Sequence, residues 1–284
     1  MAQQAAQLVW PRGGRTYTVG ITGAPGAGKS TLTDRLITVA REAHDEVAVL
    51  AIDPSSPYSG GAILGDRVRM GNHYVDPGVF IRSMATRGHL GGLAVAAPAA
   101  VRVLDAAGFA WVFLETVGVG QVEVDIAGAA DTTVVVVNPG WGDAVQANKA
   151  GLMEIADVFV INKSDRPGAA DTERDLLGML ELTGFEHGAW YPPIVRTVAA
   201  NGDGGRELWT AIASHRAHVE ADGSLAKRRV ERLRAEVRRL VRVELERRAV
   251  VTLDSPEGAA ALAAVEARTL DPESAAALLA AASG

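Results

Sequence analysis

The chain has 284 residues, 48% of them hydrophobic, which suffices for one large α/β domain with an appendage or for two small domains. Its formal net charge of −6 provides no whole-protein positive field to draw in a polyanion, so nucleic acid is not an expected partner. The chain has no cysteine, which excludes disulfides, thiolate metal sites and cysteine nucleophiles, and no apolar run is long and clean enough to suggest a membrane span.

Residues 1–16 read as a short N-terminal arm without a hydrophobic signal core, so no cleaved targeting peptide is expected and the cytoplasm is the expected location. An apolar strand, Val19-Gly20-Ile21-Thr22, then runs into Gly23-Ala24-Pro25-Gly26-Ala27-Gly28-Lys29-Ser30-Thr31 and opens a helix carrying Leu32, Leu36 and Ile37. The spacing Gly23-x4-Gly28-Lys29-Ser30 is the phosphate-binding loop pattern. Its glycines let backbone N–H groups approach phosphate oxygens, and the helix presents unpaired amides and its positive dipole end to the same anion. Lys29 is placed to neutralise the β- and γ-phosphates, and Ser30 to offer a hydroxyl to Mg²⁺.

Further strands are expected at Val47–Ile52, Val79–Ser83, Ala110–Leu114, Thr132–Val137 and Val158–Ile161, with another before Thr197. An alanine-rich helix reaches Ala107, and residues 58–70 read as a mobile loop leading into a short helix. Strands apolar on both faces, alternating with helices, predict an α/β P-loop NTPase fold with a mostly parallel sheet flanked by helices. That domain is expected to span residues 17–213, followed over 214–284 by a C-terminal helical dimerisation extension. Within the extension, Lys227–Arg248 is an arginine-rich amphipathic helix with Val230, Leu233, Val237, Leu240 and Val241 on one stripe. That stripe either packs on the chain's own core or forms a helix–helix seam with a second subunit.

Ligands of such folds gather at the carboxyl ends of the strands, and the remaining motifs fall there. Asn162-Lys163-Ser164-Asp165 follows an apolar strand, and a carboxylate at Asp165 can accept from guanine N1–H and the exocyclic amine together. Adenine lacks that donor pair, so GTP and GDP are the expected ligands. Thr197-Val198-Ala199 is placed to back the base with a backbone amide. Glu115-Thr116-Val117-Gly118 stands where GTPases carry D-x-x-G. Glu115 would hold Mg²⁺ through water and the Gly118 amide would sense the γ-phosphate. Val119 occupies the place of a water-orienting glutamine, with Gln121 displaced by two positions, so slow intrinsic hydrolysis is expected. Asp53 and Asp66 could also reach the metal or its waters. Asp66 reads as a switch acid or as a helix cap or surface charge. The six histidines are scattered, and no transition-metal site is expected.

These motifs, with Asp53-Pro54-Ser55-Ser56, Gly60–Asp66, Glu115-Thr116-Val117-Gly118-Val119-Gly120-Gln121 and Gly142–Gly151, follow one another in a known order. The chain resembles the MeaB/ArgK-type P-loop GTPases, the G-protein chaperones of adenosylcobalamin-dependent acyl-CoA mutases, above all methylmalonyl-CoA mutase. The likeness runs from about Tyr17 to Arg248. The resemblance implies a homodimer that binds a mutase, gates cofactor delivery with GTP and helps eject damaged cobalamin, the mutase in turn accelerating hydrolysis. It implies catalytic roles for Lys29, Glu115, Gly118 and Lys149. The metal set would be Ser30, Asp53, Asp66 and Glu115; Asn162 and Asp165 would read guanine, with Lys163 also at the nucleotide. The loop around Gly140–Lys149 resembles the family's additional switch, where Lys149 is either the relay to the nucleotide or a solvated helix lysine. Family members often carry a longer helical segment before the first strand, and a serine is common where this chain has Val122. Two alternatives are a P-loop kinase or ATPase linked to basic amino-acid transport, and a nickel-insertion GTPase.

Overall fold

A computed structural model describes residues 2–43, 45–53, 73, 75–85, 92–116, 126, 128–140, 149–184 and 188–282. Seven strands form one parallel sheet: β1 (Tyr17–Gly23), β2 (Val47–Asp53), β3 (Val79–Ala85), β4 (Trp111–Thr116), β5 (Thr132–Val137), β6 (Val158–Asn162) and β7 (Ile194–Thr197). Their order across the sheet is β3-β2-β4-β1-β5-β6-β7. All residues of β1, β4, β5 and β6 are buried, as expected for central strands covered on both faces. The register pairs Ile21 with Glu115 on one side of β1 and Gly23 with Val136 on the other. This brings the ends of β1, β4 and β5 to one rim, where strand order reverses.

Helices cover both faces. On one face Val19, Ile21, Val134 and Val136 pack with Leu32, Leu36 and Ile37 of α2 (Lys29–Glu42). Leu208, Ile212 and Val219, which lie within residues 205–221, join the same cluster. On the other face Leu50 and Leu114 pack with Ala97 and Leu104 of α3 (Gly92–Ala107). Val135 and Phe159 pack there with Leu176 and Leu180, which lie beyond the short helix α4 (Lys149–Ile155) in α5 (Ala169–Thr183).

The expected N-terminal arm is folded. A helix, α1 (Ala2–Val9), runs into a 3-10 turn, Trp10–Arg12, and the Arg102 guanidinium of α3 lies 6.0 Å from the Trp10 ring. Asp105 then accepts from the backbone N–H groups of Arg15 (3.1 Å) and Thr16 (3.0 Å), fixing the entry to β1.

At the amino-terminal rim, α6 (Gly205–Ala221) is fastened to the sheet through a buried polar chain. The Tyr17 hydroxyl lies 2.8 Å from the Thr132 hydroxyl, which is 2.8 Å from His215 Nδ1, and His215 Nε2 is 3.1 Å from Asp157. Burial pushes the Tyr17 phenol up to about 12. The Trp111 ring stands edge-on to Tyr17 and 4.6 Å from the Trp209 ring.

The chain divides into two compact units, Met1–Arg229 and Val230–Gly284. Position 214, where the extension is expected to begin, lies inside α6. The long helix α7 (Ser224–Leu253) starts in the first unit, where Arg229 donates to Asp131 (2.6 and 3.1 Å) and to the Thr16 carbonyl (2.8 Å). Burial would pull the Arg229 guanidinium down, but Asp131 more than offsets this and holds its charge in place. In the second unit Val230, Leu233, Val237, Leu240 and Val241 are all exposed, from 39% at Leu233 to 60% at Val237. The expected apolar stripe is therefore real but uncovered. Ser255 accepts from the Gly258 amide (3.1 Å) and, with Pro256, starts α8 (Pro256–Glu266), which packs on α9 (Pro272–Ala282) around Ala261, Ala275 and Leu279. No described helix is long and apolar enough to cross a membrane.

Candidate functional site

The phosphate loop emerges from the carboxyl end of β1, and two of its glycines sit where a side chain would collide. Gly23 has φ +134°, and a Cβ there would lie 2.0 Å from the Val136 carbonyl oxygen. Gly28, at φ +91°, caps α2, and a Cβ would lie 2.3 Å from Asn162 Nδ2. The loop is thus pressed between β5 and the end of β6. Ala24, Pro25, Gly26 and Ala27 complete the turn, the Ala27 amide donating to the Ala24 carbonyl (3.2 Å). Thr31 is exposed on the first turn of α2.

Lys29 is 6% exposed and its ammonium donates to the carbonyls of Gly23 (2.7 Å) and Ala24 (3.0 Å), which folds it back along the loop. Ser30, 8% exposed, donates its hydroxyl to Glu115 Oε1 at 2.5 Å. Glu115 is 2% exposed near the end of β4, and the neighbouring Thr116 hydroxyl donates to Thr22 (3.2 Å). Hydroxyl and carboxylate oxygens side by side are a donor pair suited to a hard cation that keeps most of its waters. Among the described residues no group of three or more His, Asp or Glu side chains gathers as a metal cage. The backbone of Asp53 ends β2 in register with Ala85. Its side chain lies outside what the structure describes, as do Asp66, Gly118 and the side chain of Lys149, whose backbone opens α4.

Asn162, 2% exposed, ties three segments together. Its Nδ2 donates to the Ala27 carbonyl (2.7 Å), and its Oδ1 accepts from the Thr197 hydroxyl and the Ala199 amide (both 3.0 Å). Of the Thr197-Val198-Ala199 segment, expected to back the base with a backbone amide, the Ala199 N–H is donated to Asn162. Lys163 adopts φ +58°, uncommon for a residue with a side chain, and its ammonium donates to the Gly26 carbonyl (2.6 Å). Ser164 donates its amide and hydroxyl to the Thr197 carbonyl (both 3.1 Å), and Asp165 beyond it is exposed. Val198 pairs with Asp203 and closes the following loop. The sequence patterns do not point to Arg35 of α2. Its Nε donates to the Ala199 carbonyl (2.9 Å) and one terminal nitrogen to that of Ala200 (3.1 Å).

A family model described as "Methylmalonyl Co-A mutase-associated GTPase MeaB" matches residues 1–254. The chain belongs to the MeaB family of GTPases. Among curated relatives, a putative GTPase of Pyrococcus abyssi (strain GE5 / Orsay) is 50% identical over 277 residues, covering 97% of this chain and 86% of the relative. The mitochondrial methylmalonic aciduria type A homolog of Mus musculus is 36% identical over 217 residues, covering 75% of this chain and 52% of that one. A solved structure of an LAO/AO transport system kinase superposes with a TM-score of 0.69 at 28% identity, covering 98% of this chain and 84% of that one. The parallel sheet, the phosphate loop and the relatives agree on a P-loop GTPase.

Proposed function

We propose that this MeaB-family GTPase is a nucleotide-gated chaperone of an adenosylcobalamin-dependent acyl-CoA mutase, above all methylmalonyl-CoA mutase, working as a homodimer in the cytoplasm. The guanine reading rests on the Asp165 carboxylate, and the observation that supports a nucleotide site there is the Asn162 carboxamide, which bonds the phosphate loop and the loop after β7 at once. In this reading Asp165 and the loop Thr197-Val198-Ala199 meet the base, Lys163 braces the loop beneath it, and residues 23–31 cradle the phosphates. Lys29 exchanges its carbonyl partners for phosphate oxygens, which lets it respond to charge developing on the transferred group. Ser30 and Glu115 would hold Mg²⁺, assisted by Asp53 and Asp66, and when bound the ion supplies charge neutralisation at the β- and γ-phosphates. The Gly118 amide senses the γ-phosphate, and Lys149 relays the partner's presence.

The mutase partnership is supported by the family's description and by the mouse relative's name. The missing water-orienting glutamine supports slow intrinsic turnover that a partner completes. The decisive measurement is GTP hydrolysis alone and with purified methylmalonyl- or isobutyryl-CoA mutase. The expected outcome is a slow basal rate that rises at least about tenfold with the cognate enzyme. Rapid unaided turnover, indifferent to any mutase, would end this reading. γ-Phosphate transfer to an added acceptor would support the transport-kinase alternative, and stoichiometric nickel the metal-insertion one.

A further inference from the structure

We propose that Arg35 is a positioning residue for guanine, a brace on α2 that sets the loop after β7 in register with the phosphate loop. Three observations carry this. First, the guanidinium donates to two successive carbonyls, Ala199 (2.9 Å) and Ala200 (3.1 Å), from a helix remote in sequence. Consecutive carbonyls aimed at one group require a turned backbone, and the planar fork of arginine fits that arrangement where a single-point donor does not.

Second, the brace opposes another contact on the same residue. Ala199 gives its N–H to Asn162 and its carbonyl to Arg35, so it is held from the β6 side and from the α2 side together. The rest of the loop is closed on itself: Val198 and Asp203 exchange a bridge, Asn201 and Gly202 donate to the Val198 carbonyl (both 3.1 Å), and the Asn201 and Asp203 side chains bond at 2.9 Å. A self-contained loop of this kind moves as a body, and its placement is decided by what grips it from outside. Third, α2 also carries Lys29 and Ser30 on its first turn. One rigid helix therefore reaches both the phosphate loop and the base loop, and fixes the distance between them.

The inference rests on the guanine reading given above and names a residue for it. The readouts are GDP and ADP affinity, GDP release, and the split of GTP hydrolysis between KM and kcat, for wild type, Arg35→Met, Arg35→Lys and Asp165→Asn. Methionine keeps the apolar stem and the helix propensity while removing both donors. Arg35→Met is expected to release GDP about tenfold faster, as the loss of two charge-assisted bonds implies. The effect should appear in KM rather than kcat, weak ADP binding should stay where it is, and Arg35→Lys should recover part of the loss. General loosening of α2 would weaken ADP as much as GDP and lower kcat through Lys29, and that result overturns the proposal. So does unchanged GDP release in both Arg35 variants; should the methionine variant fail to fold, release from the lysine variant equal to wild type overturns it alone. Asp165→Asn and wild type judge the underlying reading separately: undiminished preference for GDP over ADP in the variant refutes the role of Asp165 at the base, and a wild type that binds ADP as tightly as GDP refutes the guanine assignment, whatever Arg35 does.

Discussion

A lysine whose ammonium is held by two carbonyls of its own loop would, in its proposed role, meet the phosphates already oriented. Lys29 donates to Gly23 and Ala24 at 2.7 and 3.0 Å, so the side-chain entropy of ordering it is already lost when the protein folds rather than when the nucleotide binds. Lys29→Ala is accordingly expected to lower GTP hydrolysis by about 10²-fold or more while leaving the unfolding midpoint close to wild type. Single-turnover hydrolysis and thermal unfolding measure the two effects, and normal turnover in the variant would refute the phosphate assignment. The parts of the site that sequence discloses are those whose meaning is local. The spacing Gly23-x4-Gly28-Lys29-Ser30 and the run Asn162–Asp165 can be read because each is a contiguous turn with its own hydrogen-bonding need. The Asn162 contacts to Ala27 and Ala199 and the Arg35 contacts to Ala199 and Ala200 join segments far apart in the chain, and no spacing rule encodes them.

At the scale of the element, the strands were legible because burial on both faces leaves an unbroken apolar run, as in Thr132–Val137. Helix α6 was not. Its buried face holds Leu208, Ile212, His215 and Val219, and the histidine interrupts the apolar period that would have revealed it. The entry to β3 shows how one helix fastens its neighbour. Arg41 of α2 donates to both oxygens of Asp76 (2.8 and 2.9 Å), and Asp76 also accepts from the Gly78 amide (2.8 Å). The Arg41 bonds, followed by the Gly78 amide, hold the Asp76 carboxyl below its ordinary value of 3.8. The folded state thus favours the ionised form. The resulting stability is fully present above the ordinary value and is lost as pH falls through the lowered one. Asp76→Asn should cost about 1 kcal/mol at pH 7, with the difference from wild type shrinking below about pH 4. Urea unfolding at the two pH values checks this, and a difference that grew on acidification would contradict it.

For the whole molecule, the exposed stripe on α7 is a departure from a self-sufficient monomer. Val237 and Val241 are 60% and 53% exposed, on a helix otherwise rich in arginine, and such a face supports the proposed homodimer. Val237→Glu is expected to weaken self-association at least about tenfold, because the new carboxylate would be desolvated in the seam. Sedimentation velocity reads the change, and a wild-type protein that sediments as a monomer at micromolar concentration would remove the basis for the seam.

The sheet itself offers little to a passing strand. Among the described residues its two outer strands are β3, which carries exposed Arg82 at mid-strand, and β7, four residues long, whose exposed Arg196 bonds Glu173. A cation in the middle of one margin and sheer brevity at the other discourage backbone-to-backbone growth, which guards against amyloid-like stacking during synthesis. Higher-order assembly of this GTPase is thereby steered away from its nucleotide-bearing sheet.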